Sequence, residues 1–153
     1  MTTTEPTAGP ATFRPATAAD ADALTALERD TNLVALAHVF PDVPYPEDEV
    51  RARWLRLLAD PAVTVEVVGT TDRLDVYLAF DSQTLRHLGV RPTRWGQGLA
   101  REAVTRAGGV RRLWVLADNE RARGFYAHLG WSSTGRSQAA EWPPYPVELE
   151  YAR

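Results

Sequence analysis

Apolar positions recur at helical spacing early in the chain and at strand spacing further on. After a brief strand signal at Phe13-Arg14, Thr17 offers an N-cap, with Asp20 three residues on, to a helix running to about Arg29 that turns Leu24 and Leu27 inward. Residues 32–45 are mixed and broken by Pro41 and Pro44. Pro46 and the acids Glu47, Asp48 and Glu49 suit the first turn of a second helix, in which Val50, Trp54, Leu57 and Leu58 fall at i, i+4, i+7 and i+8. Three strand runs follow: VTVEVV (63–68), LDVYLAF (74–80) and TLRHLGV (84–90). Their short turn-rich connections predict an antiparallel meander.

A glycine-bearing turn leads from the third run into a helix from about Gly98 to Ala107, stopped by Gly108-Gly109. RRLWVLA (111–117) reads as a buried strand, Asn119 caps a helix ended by Gly130, and Trp131 to Gly135 and Val147 to Ala152 read as two last strands. The order β-αα-βββ-α-β-α-ββ predicts one α/β domain with a mixed sheet over residues 12–153, behind a polar leader at 1–11 read as disordered.

Composition narrows the chemistry. At 153 residues, with 44% hydrophobic and 24% charged positions, the chain suits one globular domain. It has no cysteine, which excludes a thiolate nucleophile and a Cys-based zinc site. All 17 basic side chains are arginine, and isoleucine is absent too, a pairing typical of GC-rich coding. Without lysine there is no Schiff-base former and no phosphate-loop cation. A net charge of −3 argues against a nucleic-acid or membrane-surface binder. No apolar run approaches the roughly 20 residues of a membrane span, and the leader lacks a basic start, so a cytoplasmic protein is expected. Arginines nevertheless crowd residues 86–123, as an anionic small ligand would require.

WGQGLA (95–100) is the motif with most chemical content. Gly96 and Gly98 let the backbone approach a ligand, and the amides of the turn point above a helix N-terminus, a cradle for pyrophosphate. Taken alone, the turn reads better as a plain strand-to-helix connection. It lacks the Gly-Lys-Ser/Thr ending of a nucleotide-triphosphate loop and the third glycine of a dinucleotide fingerprint.

LGVRPTRWGQGLAREAV (88–104) resembles the acyl-CoA-binding motif of the GNAT superfamily of N-acyltransferases, Arg/Gln-x-x-Gly-x-Gly/Ala. Gly98 and Ala100 are on pattern, and Trp95 stands where the family has Arg or Gln. LADNERARGFYAHLGW (116–131) is similar to a second family stretch, with Asn119, Ala122, Tyr126 and Gly130 on pattern and Trp131 in place of Phe. The resemblance implies a mostly antiparallel sheet of six to seven strands with about four helices, splayed between its fourth and fifth strands. It implies acetyl-CoA as co-substrate, no metal, and direct attack of an amine on the thioester in a ternary complex.

The implied cofactor residues are Leu88, Gly89 and Val90 on the strand edge, Arg94, Trp95, Gly96, Gln97, Gly98, Leu99 and Ala100 in the turn, and Asn119 and Arg121 downstream. Tyr126 matches the family's usual proton donor to the departing thiolate, although its helical face also suits plain core packing. The positions where family members that use a side-chain base place Glu or His are Thr84 and Arg86, neither a credible base. His38, Asp81 and Glu141 remain as candidates, and deprotonation through ordered water or binding of an already neutral amine fits the sequence better. His87 is expected on the opposite face, as a structural histidine.

Although the prolines equally suit plain stiffening of two connections, the resemblance implies that two proline-stiffened aromatic segments, 38–49 and 141–146, line the acceptor site. Its candidates are His38, Phe40, Tyr45, Asp81, Glu141, Trp142 and Tyr145, with Asp42 or Glu141 meeting a cation. These suggest a small, partly apolar primary amine, with the protein a monomer or homodimer. The alternatives are a protein Nα- or lysine acetyltransferase, or an acyl-CoA-binding module with little transferase activity.

Overall fold

The computed structural model describes residues 11–38 and 44–153. Seven strands, β1 (Phe13–Pro15), β2 (Thr64–Thr70), β3 (Arg73–Phe80), β4 (Thr84–Val90), β5 (Arg112–Leu116), β6 (Ser132–Ala139) and β7 (Val147–Ala152), form one sheet. Their spatial order is β1-β2-β3-β4-β5-β7-β6. All pairings are antiparallel except β4 with β5. Helices α1 (Ala21–Ala35) and α2 (Glu47–Ala59) cover one face, and α3 (Leu99–Arg106) and α4 (Glu120–His128) the other.

Each face has its own core. Leu24, Leu27, Val50 and Trp54 pack with Val67, Tyr77 and Ala79 under α1 and α2. Leu78, Leu85, Ala103, Val104, Leu113 and Tyr126 pack on the other side. The helix stripes and strand alternation expected from the sequence therefore face inward. Helix α1 runs past Arg29 to Ala35, and its added residues Leu33 and Val34 are each 58% exposed, so they carry no burial signal.

The N-terminal corner is tied by charge. Asp20 is fully buried, receives two hydrogen bonds from Arg14 at 2.8 and 3.0 Å, and accepts the Thr17 N–H at 2.8 Å. Hydrogen bonding to Arg14 is the main force that lowers its pKa from 3.8, against the opposing effect of burial. A carboxyl lowered by folding stabilises fully above its ordinary value and stops doing so as pH falls through the folded value. Asp20→Asn is expected to cost about 2 kcal/mol at pH 7. In thermal melts the gap to wild type should close as pH drops below 3.8; a constant gap would refute the linkage.

Two features of β4 shape the site. It meets β5 in register at Thr84↔Arg112 and Leu85↔Leu113, after which the strands part. Against β3, its register slips between Phe80↔Leu85 and Ala79↔His87, which makes Arg86 a bulge. Leu85 and Leu88 then share the α3 side, while His87 and Gly89 share the α1–α2 side. The expectation that His87 faces away from Thr84 is therefore corrected: both line the same cavity, because the extra residue inverts the alternation.

Candidate active site

Where β4 and β5 separate, two chambers meet. The first, about 560 Å³, runs along Leu88, Gly89 and Val90 to the glycine turn, with α4 as its other wall. It is lined by Arg94, Trp95, Gly96, Gly98, Leu99, Ala100, Asn119 and Arg121, all expected as cofactor residues. Gln97 does not line it; its side-chain oxygen accepts from Arg94 at 2.7 Å.

The turn has glycine for a conformational reason. Gly96 and Gly98 have φ of 79° and 78°, which L side chains rarely adopt, and a Cβ at either would meet nothing within 4 Å. Gly98 caps α3, where the first backbone amide to return to the turn is that of Glu102, on the Gly98 oxygen at 3.0 Å. The amides of Leu99, Ala100 and Arg101 come before it and face outward as donors for an anion.

The arginines divide. Arg91 and Arg94 are held by Asp75, and Arg91 also bonds the Leu74 carbonyl at 2.6 Å, so their charge is largely committed. Arg101 lines the chamber with its side chain exposed. Trp95 sends its indole N–H to the Val90 carbonyl at 2.8 Å, and the Arg121 guanidinium lies 3.9 Å from its ring centroid. This stack joins the glycine turn to the start of α4. Asn119 caps α4, accepting the Ala122 N–H at 3.1 Å, as its position predicted.

The second chamber, about 590 Å³, lies on the α1–α2 side. Leu88, Asn119, Ala122 and Tyr126 line both chambers. Tyr126 is 8% exposed and packs its ring against Phe125 and Trp131 at 5.1 and 6.2 Å. Burial raises its phenol well above the usual value, so it stays protonated through the working range.

Sequence reasoning found part of the second chamber. Glu141 and Trp142 line it. Tyr45 packs in a small apolar recess with Trp142 and Leu36. Phe40 and Asp42 lie outside the described residues. Three candidates lie elsewhere. Asp81 accepts the Gln83 and Thr84 amides at 2.8 and 2.7 Å and pairs with Arg86 at 2.8 Å; it holds the β3–β4 turn. Tyr145 sits at φ 57° and is 58% exposed, clear of the chamber. His38 makes a 2.9 Å hydrogen bond with the Asp118 carbonyl oxygen.

The chamber adds residues that the sequence had not offered: Glu28, Arg53, Tyr77, Gln138 and Glu148. Glu28 and Arg53 form a buried ion pair, and Trp54 donates to the same carboxylate at 2.8 Å. The available signal was a charge within an apolar stripe, since Glu28 follows Leu24 by one helical turn. Burial, with some repulsion from Glu141, raises the pKa of Glu148. Burial first, then Arg53 and Arg86, hold His87 well below 6.5, so its ring is neutral at pH 7. Its imidazole packs 5.4 Å from the Trp54 ring.

The sheet thus splits beside a glycine turn, and a buried tyrosine stands where the two chambers meet. The sequence matches the acetyltransferase (GNAT) family over residues 3–131, and the chain belongs to that family of N-acetyltransferases. A search of curated proteins gives no significant match. Among solved structures, an acetyltransferase from Thermus thermophilus is similar at 23% identity and TM-score 0.66, over 93% of this chain and 95% of that one. PaiA N-acetyltransferase from Thermoplasma acidophilum, solved in complex with coenzyme A, is 13% identical with TM-score 0.65, over 93% and 98%. Ribosomal-protein-alanine N-acetyltransferase from Brucella melitensis is 19% identical with TM-score 0.65, over 93% and 98%. At these identities the likeness shows the fold. Among the described residues no helix is long and apolar enough to cross a membrane, and no group of potential metal ligands occurs.

Proposed function

We propose that the protein transfers an acetyl group from acetyl-CoA to the primary amine of a small molecule, both bound at once. The observation that carries this reading is Tyr126 on the wall shared by the two chambers. The first chamber suits a CoA thioester, with outward amides at the start of α3 for phosphate oxygens and a strand edge on β4 for the pantetheine amides. Bound there, acetyl-CoA supplies the activated acyl group. The second chamber, about 590 Å³ and walled by Trp142, Tyr77 and α1, has the size of a compact acceptor.

The residues then divide the proton work. His87, neutral and in the acceptor chamber, accepts a hydrogen bond from the attacking amine, whose proton leaves to water as the C–N bond forms. Tyr126 donates a hydrogen bond, then a proton, toward the departing sulfur. Bringing both substrates to one junction supplies the entropic part of the acceleration.

The test is thiol release from acetyl-CoA across small amines, peptide N-termini and lysine peptides, with wild type and His87→Gln. Wild type should acetylate small amines best, and His87→Gln should lose about 10-fold in kcat/KM, with water as a partial substitute. Preference for peptides would move the reading to a protein acetyltransferase. Acetyl-CoA that raises the melting temperature with no thiol release on any amine would make the domain a binding module.

A further inference from the structure

The buried Glu28–Arg53 pair is only partly used by the protein. Arg53 is 7% exposed and lines the acceptor chamber. Its Nη2 donates to Glu28 Oε2, while its Nε is buried with no hydrogen-bond partner. A folded core rarely leaves a guanidinium N–H without an acceptor, and each such group in a native structure requires an account. The guanidinium is a rigid planar fork that matches a carboxylate in a bidentate manner. Glu141 and Glu148 line the same chamber from the β6–β7 side, where they suit the amine, while Arg53 stands on the α2 wall beside its partner Glu28. A simple diamine satisfies the acids and gives the remaining N–H groups of Arg53 no acceptor beyond Glu28. An amine that also bears a carboxylate satisfies both ends.

We propose that Arg53 anchors the carboxylate of the acceptor, so that the substrate class is an amino acid or a close analogue. This rests on the acetyl-transfer reading above. Glu28 holds the guanidinium in place and keeps the α2 wall from carrying an uncompensated charge when the chamber is empty.

The experiment needs no variant at its core. With acetyl-CoA saturating, wild type is assayed on amino acids, on the matching carboxamides and on the matching decarboxylated amines, for example phenylalanine, phenylalaninamide and phenethylamine. The expected result is a kcat/KM at least about 10-fold higher for the carboxylate-bearing member, expressed mainly in KM. Arg53→Gln should bring that ratio toward one, and Arg53→Lys, which keeps the charge but loses the fork, should lie between. A melting curve for each variant shows that the comparison is made on folded protein, and the wild-type ratio stands whatever the variants do. Equal rates within the matched sets, or preference for the uncharged members, overturn the assignment of Arg53 while leaving acetyl transfer intact. No thiol release with any of the amines removes the transfer reading itself.

Discussion

Replacing Tyr126 with phenylalanine is expected to lower kcat about 100-fold while leaving acetyl-CoA affinity and the melting temperature near wild type. That loss corresponds to about 2.7 kcal/mol of transition-state stabilisation. The ring contacts to Phe125 and Trp131 at 5.1 and 6.2 Å survive the substitution, so stability should not change. The hydroxyl is the only group the substitution removes, from a residue that lines both chambers. Burial holds this phenol above its usual pKa, so its ionisation should not appear as an alkaline limb in the wild-type rate below pH 10.0. Steady-state kinetics with calorimetric binding separates the two readings. Unchanged turnover removes Tyr126 from the mechanism, and a collapse in stability returns it to core packing.

Gly89→Ala is the second large effect, and it acts through packing. A Cβ at Gly89 would come 2.2 Å from the Tyr77 ring and 2.4 Å from its hydroxyl. Tyr77 is 4% exposed and sits edge-on to Trp54 at 5.4 Å, so its ring can yield only toward the second chamber, at the expense of that packing. Overpacking of this kind costs about 3 kcal/mol, or about 6–12 °C in melting temperature for a domain of this size. Because Gly89 also lines the cofactor chamber, acetyl-CoA affinity should fall as well. Adding Tyr77→Leu should recover part of the stability lost by Gly89→Ala, a favourable coupling in a double-mutant cycle. An unaltered melting temperature in the single variant would falsify this steric account.

Much of the scaffold was legible because burial writes itself as period. Val50, Trp54 and Leu57 repeat at helical spacing and are buried under α2, and the alternation of 64–90 gave the meander. The readings fell short where burial was absent. The continuation of α1 to Ala35 carries exposed Leu33 and Val34, and β6 reaches Ala139, beyond the expected end at Gly135, as a wholly exposed polar strand defined by its pairing with β7. The first chamber was readable because its constraints are local: positive φ at Gly96 and Gly98, and a cap at Asn119. The second was not, because it is assembled across distant segments. Arg53 from α2 meets Glu28 from α1, and Glu148 comes from β7. His87 was misplaced by one bulge, which no periodicity reveals.

The parting of β4 from β5 also bears on how the molecule melts. Two register pairs join a four-strand sheet, β1 to β4, to a three-strand sheet, β5, β7 and β6. Along the rest of that seam the two edges face each other without a ladder, and the Trp95–Arg121 stack bridges them from outside the sheet. A ligand seated in the gap as proposed would supply rungs along β4, so part of the sheet's cohesion would be borrowed from it. Without it the halves have a route to open separately; with it they unfold as one. The width of the thermal transition, and the exchange rates of amides along residues 86–90, then report occupancy of the cleft as directly as turnover does.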